Sequence, residues 1–146
     1  MKKSFNSSLI TIPIGASPLT QPHAIIIDDH MSNIDVLRLM LEREGVTSSY
    51  ALMPYQVPDV IEAAPRIDVI FLDLDLPDGD YYRLLNDLKR NSRLYGVPII
   101  AYTVHTSEID AARQAGFDGF LGKPLKLLDF PDQLRRILGG EAVWSY

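Results

Sequence analysis

Three stretches of this chain are almost uninterruptedly apolar: AIIID at 24–28, VIFLD at 69–73 and VPIIAYT at 97–103. Short runs rich in Ile and Val are the pattern of strands buried on both faces of a parallel sheet. GFLG at 119–122 supplies another strand, and a weaker one is predicted over 46–52. Between the strands, apolar residues recur every three to four positions. Ser32 is predicted to cap a helix that carries Ile34, Val36, Leu37, Met40 and Leu41 and ends at Gly45. Pro54 and Pro58 confine a second helix to roughly 58–64, because proline is tolerated only in a first turn. Tyr82, Leu85, Leu88 and Lys89 mark a third helix running to about Asn91. A fourth covers 107–115 and stops at Gly116, and a fifth covers 130–138 and stops at Gly139-Gly140. Five βα units in series imply right-handed crossovers and a doubly wound α/β sheet.

Composition narrows the function classes. The 146 residues, 47% hydrophobic and 23% charged, suit one soluble globular domain with a core. Cysteine is absent, so no disulfide framework or zinc-thiolate site is expected, and a cytoplasmic location is the simplest expectation. A net charge of -5 lacks the basic excess that phosphate backbones demand, so direct nucleic-acid binding is not expected. No apolar stretch approaches the roughly 20 residues of a membrane-spanning helix, so no membrane insertion is expected. Residues 1–22, rich in Ser, Thr and Pro, are expected to form a flexible N-terminal extension. Met1-Lys2-Lys3 and LITIPIGA imitate a secretory signal, but Ser7, Ser8, Thr11 and Pro13 interrupt the apolar part. The domain is expected over 23–138, with a C-terminal tail over 139–146.

In an open parallel sheet, ligands bind outside the carboxyl ends of the strands, so the residues closing each run are the ones to inspect. The first run closes on Asp28-Asp29, the third strand on Asp73, the fourth on Thr103 and the fifth on Lys123-Pro124. Three carboxylates at one edge repel one another unless a cation sits among them. Oxygen-only ligands favour a hard ion such as Mg2+. Asp78-Gly79 reads as turn chemistry and Asp80 as a helix cap, while Asp68 ends a loop.

DDHMSN at 28–33, FLDLDLP at 71–77, PIIAYT at 98–103 and GFLGKP at 119–124 together resemble the receiver domain of two-component response regulators. The ending FLGKPLKLLDFPDQLRRIL is most similar to stand-alone receivers of the DivK type, and no output domain follows in this sequence. The resemblance implies a flavodoxin-like fold with a five-stranded parallel sheet of order 2-1-3-4-5 and five helices. It implies that Asp73 accepts a phosphoryl group from a histidine kinase or phosphotransfer protein, with Mg2+ or Mn2+ held by Asp28, Asp29, Asp73 and the backbone carbonyl of Asp75. Lys123 matches the lysine that pairs with phosphoryl oxygens, and Pro124 a proline often reached by a cis peptide. Thr103 matches the hydroxyl that bonds the phosphoryl group, and Phe120 the aromatic switch residue on the face of the fourth helix, fifth strand and fifth helix. Such a protein catalyses only its own phosphorylation and dephosphorylation. It signals by a phosphorylation-dependent change in docking to a kinase, a phosphotransfer protein or an effector such as a diguanylate cyclase.

Several residues depart from the family pattern. Tyr81 replaces a common glycine, so its turn must avoid a positive φ or accept strain. Val104 replaces a small residue and narrows the way to Asp73. Phe120 lacks the hydroxyl of the commoner tyrosine, which favours its inward state. His105 lies two residues after Thr103 and Asp75 two after Asp73, positions that tune acyl-phosphate lifetime in this family. His105 also reads simply as an exposed loop residue, and His23 and His30 as surface or strand-end residues. Two rival readings remain: a pseudo-receiver that docks without phosphorylation, and a small haloacid-dehalogenase-like phosphatase suggested by Asp73-Leu74-Asp75. Trp144 and Tyr146 in the tail are expected to cover the fifth helix or a partner.

Overall fold

In the computed structural model, residues 21–146 apart from 78 and 79 are described. The imitation of a signal sequence, all but the last two residues of the N-terminal extension, and the Asp78-Gly79 turn lie outside the described residues.

The apolar runs form the centre of one parallel sheet. Its strands are β1 (His23–Ile27), β2 (Thr47–Ala51), β3 (Val69–Asp73), β4 (Ile99–Thr103), β5 (Gly119–Gly122) and β6 (Trp144–Ser145). Their order is β2-β1-β3-β4-β5-β6, which keeps the expected 2-1-3-4-5 core and extends it by a sixth strand. Trp144 and Tyr146 were expected to cover the fifth helix or a partner; the tail instead pairs parallel to β5, with Phe120 opposite Trp144 and Leu121 opposite Ser145. Two glycines leave room for it. A Cβ on Gly119 would sit 2.7 Å from the Val143 carbonyl oxygen, and one on Gly122 would sit 3.1 Å from Tyr146 Cα.

Helices cover both faces: α1 (Met31–Arg43), α2 (Val57–Ala63), α3 (Tyr81–Arg90), α4 (Ile109–Ala115) and α5 (Phe130–Leu138). Alternate strand residues feed two separate cores. Ile25, Ile27, Ile70, Leu72, Ala101 and Phe120 pack with Val57, Ile61, Leu84, Leu85, Leu88 and Ala112 of α2, α3 and α4. Ala24, Ile26, Val69, Phe71, Ile100, Tyr102 and Leu121 pack with Ile34, Leu37, Leu41, Leu134 and Ile137 of α1 and α5. The outer strand β2, TSSYA, is only partly buried and carries polar side chains, as suits a sheet edge. Among the described residues, no helix is long and apolar enough to cross a membrane.

The helix starts are set by chemistry at the strand ends. α1 begins two residues earlier than Ser32 predicts: His30 is the cap residue, and its backbone N–H donates to Asp28 Oδ1 at 2.9 Å. No side-chain hydrogen bond caps α1, and Ser32 lies inside the helix. Val36 faces solvent, and Ile34, Leu37, Met40 and Leu41 form the buried stripe. Asp80 does cap α3, accepting from the Arg83 N–H at 2.9 Å. Tyr81 is the first residue of α3; its ring stacks on Tyr82 at 4.9 Å and approaches Phe117 at 5.8 Å. At Gly116, a φ of +108° ends α4.

Candidate functional site

Asp73 ends β3 and Asp28 directly follows β1, and β1 and β3 are neighbours, so their carboxylates meet at one edge of the sheet. Both are buried, at 2% and 1% exposure. Lys123, just past β5, reaches back across β4 to place its Nζ 2.9 Å from Asp28 Oδ2 and 3.6 Å from Asp73 Oδ2. Its backbone is tied to the sheet, since the Lys123 N–H donates to the Thr103 carbonyl at 2.8 Å; the Lys123-Pro124 peptide is cis. The ammonium also lies 4.2 Å from the centroid of the Tyr102 ring.

Burial dominates the electrostatics of Asp73. It pushes the carboxyl up to about 6; the Asp75 N–H, which donates to Asp73 Oδ1 at 3.0 Å, and the Lys123 charge act in the opposite direction. The neighbouring charges of Asp28 and Asp75 add to the upward push.

Asp29 completes the acidic group. Its Oδ1 is buried and accepts no hydrogen bond, although His30 Nδ1 comes within 3.0 Å of it. One ligand atom each from Asp28, Asp29, His30 and Asp73 lie within 4.8 Å of one another. Three carboxylates, one with an orphaned buried oxygen, fit a divalent cation. Beside them opens a cleft of about 440 Å3, whose lining includes His30, Asp73, Tyr102, Val104 and Lys123.

Thr103 is fully buried, and its hydroxyl donates to Asp75 Oδ2 at 3.2 Å and accepts the His105 N–H at 3.1 Å. His105 Nε2 lies 3.3 Å from Asp75 Oδ1. His105 and Asp75 therefore form a half-exposed pair, with Asp75 on the lining of the cleft. Val104 is exposed on the same rim.

Of the predicted residues, the fold brings Asp28, Asp29, Asp73 and Lys123 into one cluster and joins Thr103, Asp75 and His105 in a second network linked to it through Asp75. Phe120 stands apart, fully buried in the core beneath α4 and opposite Ala101 of β4. Asp68 has a structural place, accepting the His23 N–H at 2.8 Å and pairing with Arg66 at 2.6 Å. Two residues at the site escaped sequence reasoning: His30 and Tyr102. Their signal was position, one following the acidic pair and the other preceding Thr103.

The sequence matches the response regulator receiver domain family over residues 24–135. The KDP operon transcriptional regulatory protein KdpE of Escherichia coli is 34% identical over 116 residues, covering 77% of this chain and 49% of that protein. The chain therefore spans about half the length of that relative. A two-component response regulator from Clostridium difficile superposes with a TM-score of 0.70 at 28% identity, over 82% of this chain and 97% of that one. The chemotaxis response regulator CheY4 of Vibrio cholerae shares the fold, with a TM-score of 0.71 at 22% identity over 81% and 99% of the two chains.

Proposed function

The chain belongs to the response regulator receiver family, and on that premise we propose that it accepts a phosphoryl group on Asp73 from a histidine kinase or phosphotransfer protein. The observation that carries this reading is the buried Asp73 carboxylate at the end of β3, facing the Lys123 ammonium and opening on the cleft. A carboxylate oxygen of Asp73 attacks phosphorus, the bond from phosphorus to the donor nitrogen breaks, and the donor imidazole leaves with that electron pair. The product is an acyl phosphate. Lys123 pairs with phosphoryl oxygens as charge gathers on them, and exchanges its contact with Asp28 for one with the phosphoryl group.

Asp28, Asp29, Asp73 and the backbone carbonyl of Asp75 would hold Mg2+, which when bound neutralises charge on the transferring group. The Thr103 hydroxyl turns from Asp75 to the phosphoryl group. Phe120 then reads that movement, and the face of α4, β5 and α5 changes its docking to a partner protein. In this reading the protein acts in the cytoplasm, as a receiver over 23–138, and turns over no substrate but its own phosphoryl group.

Intact mass after incubation with acetyl phosphate tests the proposal. A phosphoryl adduct is expected on wild type with Mg2+, and neither on Asp73→Asn nor in the presence of a chelator. No adduct on wild type under any condition would instead favour a docking module that works without phosphorylation.

A further inference from the structure

His30 places a nitrogen donor inside the acidic group, and we propose that it is a direct ligand of the metal ion, giving this site a preference for a first-row transition ion over Mg2+. The inference rests on the reading of Asp28, Asp29 and Asp73 as a cation site and names one more ligand for it.

The position of the ring follows from the backbone. His30 is extended, with φ -113° and ψ 111°, at the cap of α1, and its N–H is tied to Asp28 Oδ1. That holds Nδ1 3.0 Å from Asp29 Oδ1 and 3.6 Å from Asp28 Oδ1. Asp29 Oδ1 is the described buried side-chain atom that finds no hydrogen bond. A ring nitrogen and a carboxylate oxygen that accepts no hydrogen bond therefore border the same small space, and Asp73 belongs to the same group of candidate donors. Bonds of about 2.0–2.3 Å to a shared ion put adjacent donors about 3 Å apart and opposite ones about 4.5 Å apart. The four donor atoms here lie within 4.8 Å of one another.

Carboxylate and carbonyl donors alone suit Mg2+ and Mn2+ alike, so a nitrogen donor is what would set the two ions apart at this site. Mg2+ also releases its waters reluctantly, so a nitrogen that must displace one adds little for that ion. The ring is solvent-exposed over most of its surface, so a substitution at His30 disturbs no core.

The test uses Mn2+ as the probe on the full chain. Pulsed EPR of bound Mn2+ reports nitrogen-14 in its first coordination sphere, and calorimetry gives its affinity beside that of Mg2+. Wild type is expected to show the nitrogen modulation and His30→Gln to lose it. The variant is expected to bind Mn2+ roughly tenfold more weakly while Mg2+ changes by less than about twofold. Mn2+ bound to wild type without nitrogen modulation, modulation that persists in His30→Gln, or an equal loss for both ions would overturn the ligand role and leave the cation site standing. Absence of Mn2+ and Mg2+ binding to wild type would overturn the cation site itself.

Discussion

Thr103 Oγ1 donates to Asp75 Oδ2 across 3.2 Å, so the buried hydroxyl at the end of β4 is held by a side chain that also pairs with His105 at 3.3 Å. In the proposed reading, where the hydroxyl moves to a phosphoryl group, Asp75 keeps His105 as its neighbour. On that reading the pair would assist an incoming water.

His105→Ala is accordingly expected to lengthen the lifetime of the acyl phosphate. The pair is half-exposed, so the effect should be several-fold, below the roughly 100-fold minimum of a well-placed general base. Decay of the isolated phosphoprotein, followed by intact mass, measures it; an unchanged rate would remove His105 from the chemistry.

Asp73 imposes a pH-dependent cost on the fold. Burial raises its carboxyl from an ordinary 3.8 to about 6, so between those values the folded chain binds more protons than the unfolded one. Stability from this group is full below about pH 4, falls as pH rises and has been lost once the pH is above about 6. Asp73→Asn removes the charge, and without metal should be the more stable protein at pH 7 by on the order of 3 kcal/mol. That advantage should shrink toward zero as pH is lowered to about 4. Urea titrations of both proteins across that window give the answer, and an advantage independent of pH would contradict it.

A cation relieves the same repulsion. Mg2+ at ten times its dissociation constant should stabilise the wild type by about 1.4 kcal/mol. Asp29→Asn should abolish most of that gain, because it removes the carboxylate with the unpartnered buried oxygen. Thermal unfolding with and without Mg2+ checks this, and an equal gain in the variant would place the ion elsewhere.

The sixth strand depends on a missing side chain. A Cβ at Gly119 would meet the Val143 carbonyl at 2.7 Å and Ile100 Cδ1 at 2.9 Å, and Val143 O accepts the Phe120 N–H at 2.8 Å. Gly119→Ala should therefore cost about 1–3 kcal/mol and loosen the tail. Trp144 is the sole tryptophan of the chain and lies under the Arg113 guanidinium at 4.2 Å, so its emission should shift to the red in that variant. Unchanged emission and stability would contradict the packing of the tail on β5.

The expectations that held were carried by long or chemically blunt signals. Ile- and Val-rich runs marked the central strands, and Gly116 and Gly139-Gly140 stopped α4 and α5 where expected. Asp28, Asp29, Asp73 and Lys123 were legible as a group because parallel strands deliver their carboxyl ends to one edge. What escaped depends on contacts between distant segments. Trp144 and Ser145 are too few to show a strand period, and only the shape of Gly119 and Gly122 admits them to the sheet. Ser32 does not cap α1 because the helix already starts at Met31, with His30 as its cap residue, and no spacing in the sequence shows the His30 ring beside the Asp29 carboxylate.

Borohydride trapping of the acetyl phosphate-treated chain tests the central claim most directly. Reduction converts an aspartyl phosphate to homoserine, and peptide sequencing by mass spectrometry then separates Asp73 from Asp68, Asp75, Asp78 and Asp80 of the same segment. The account predicts Mg2+-dependent homoserine at position 73. Homoserine at another of these acids, or none while Asp73 is recovered intact, would contradict it.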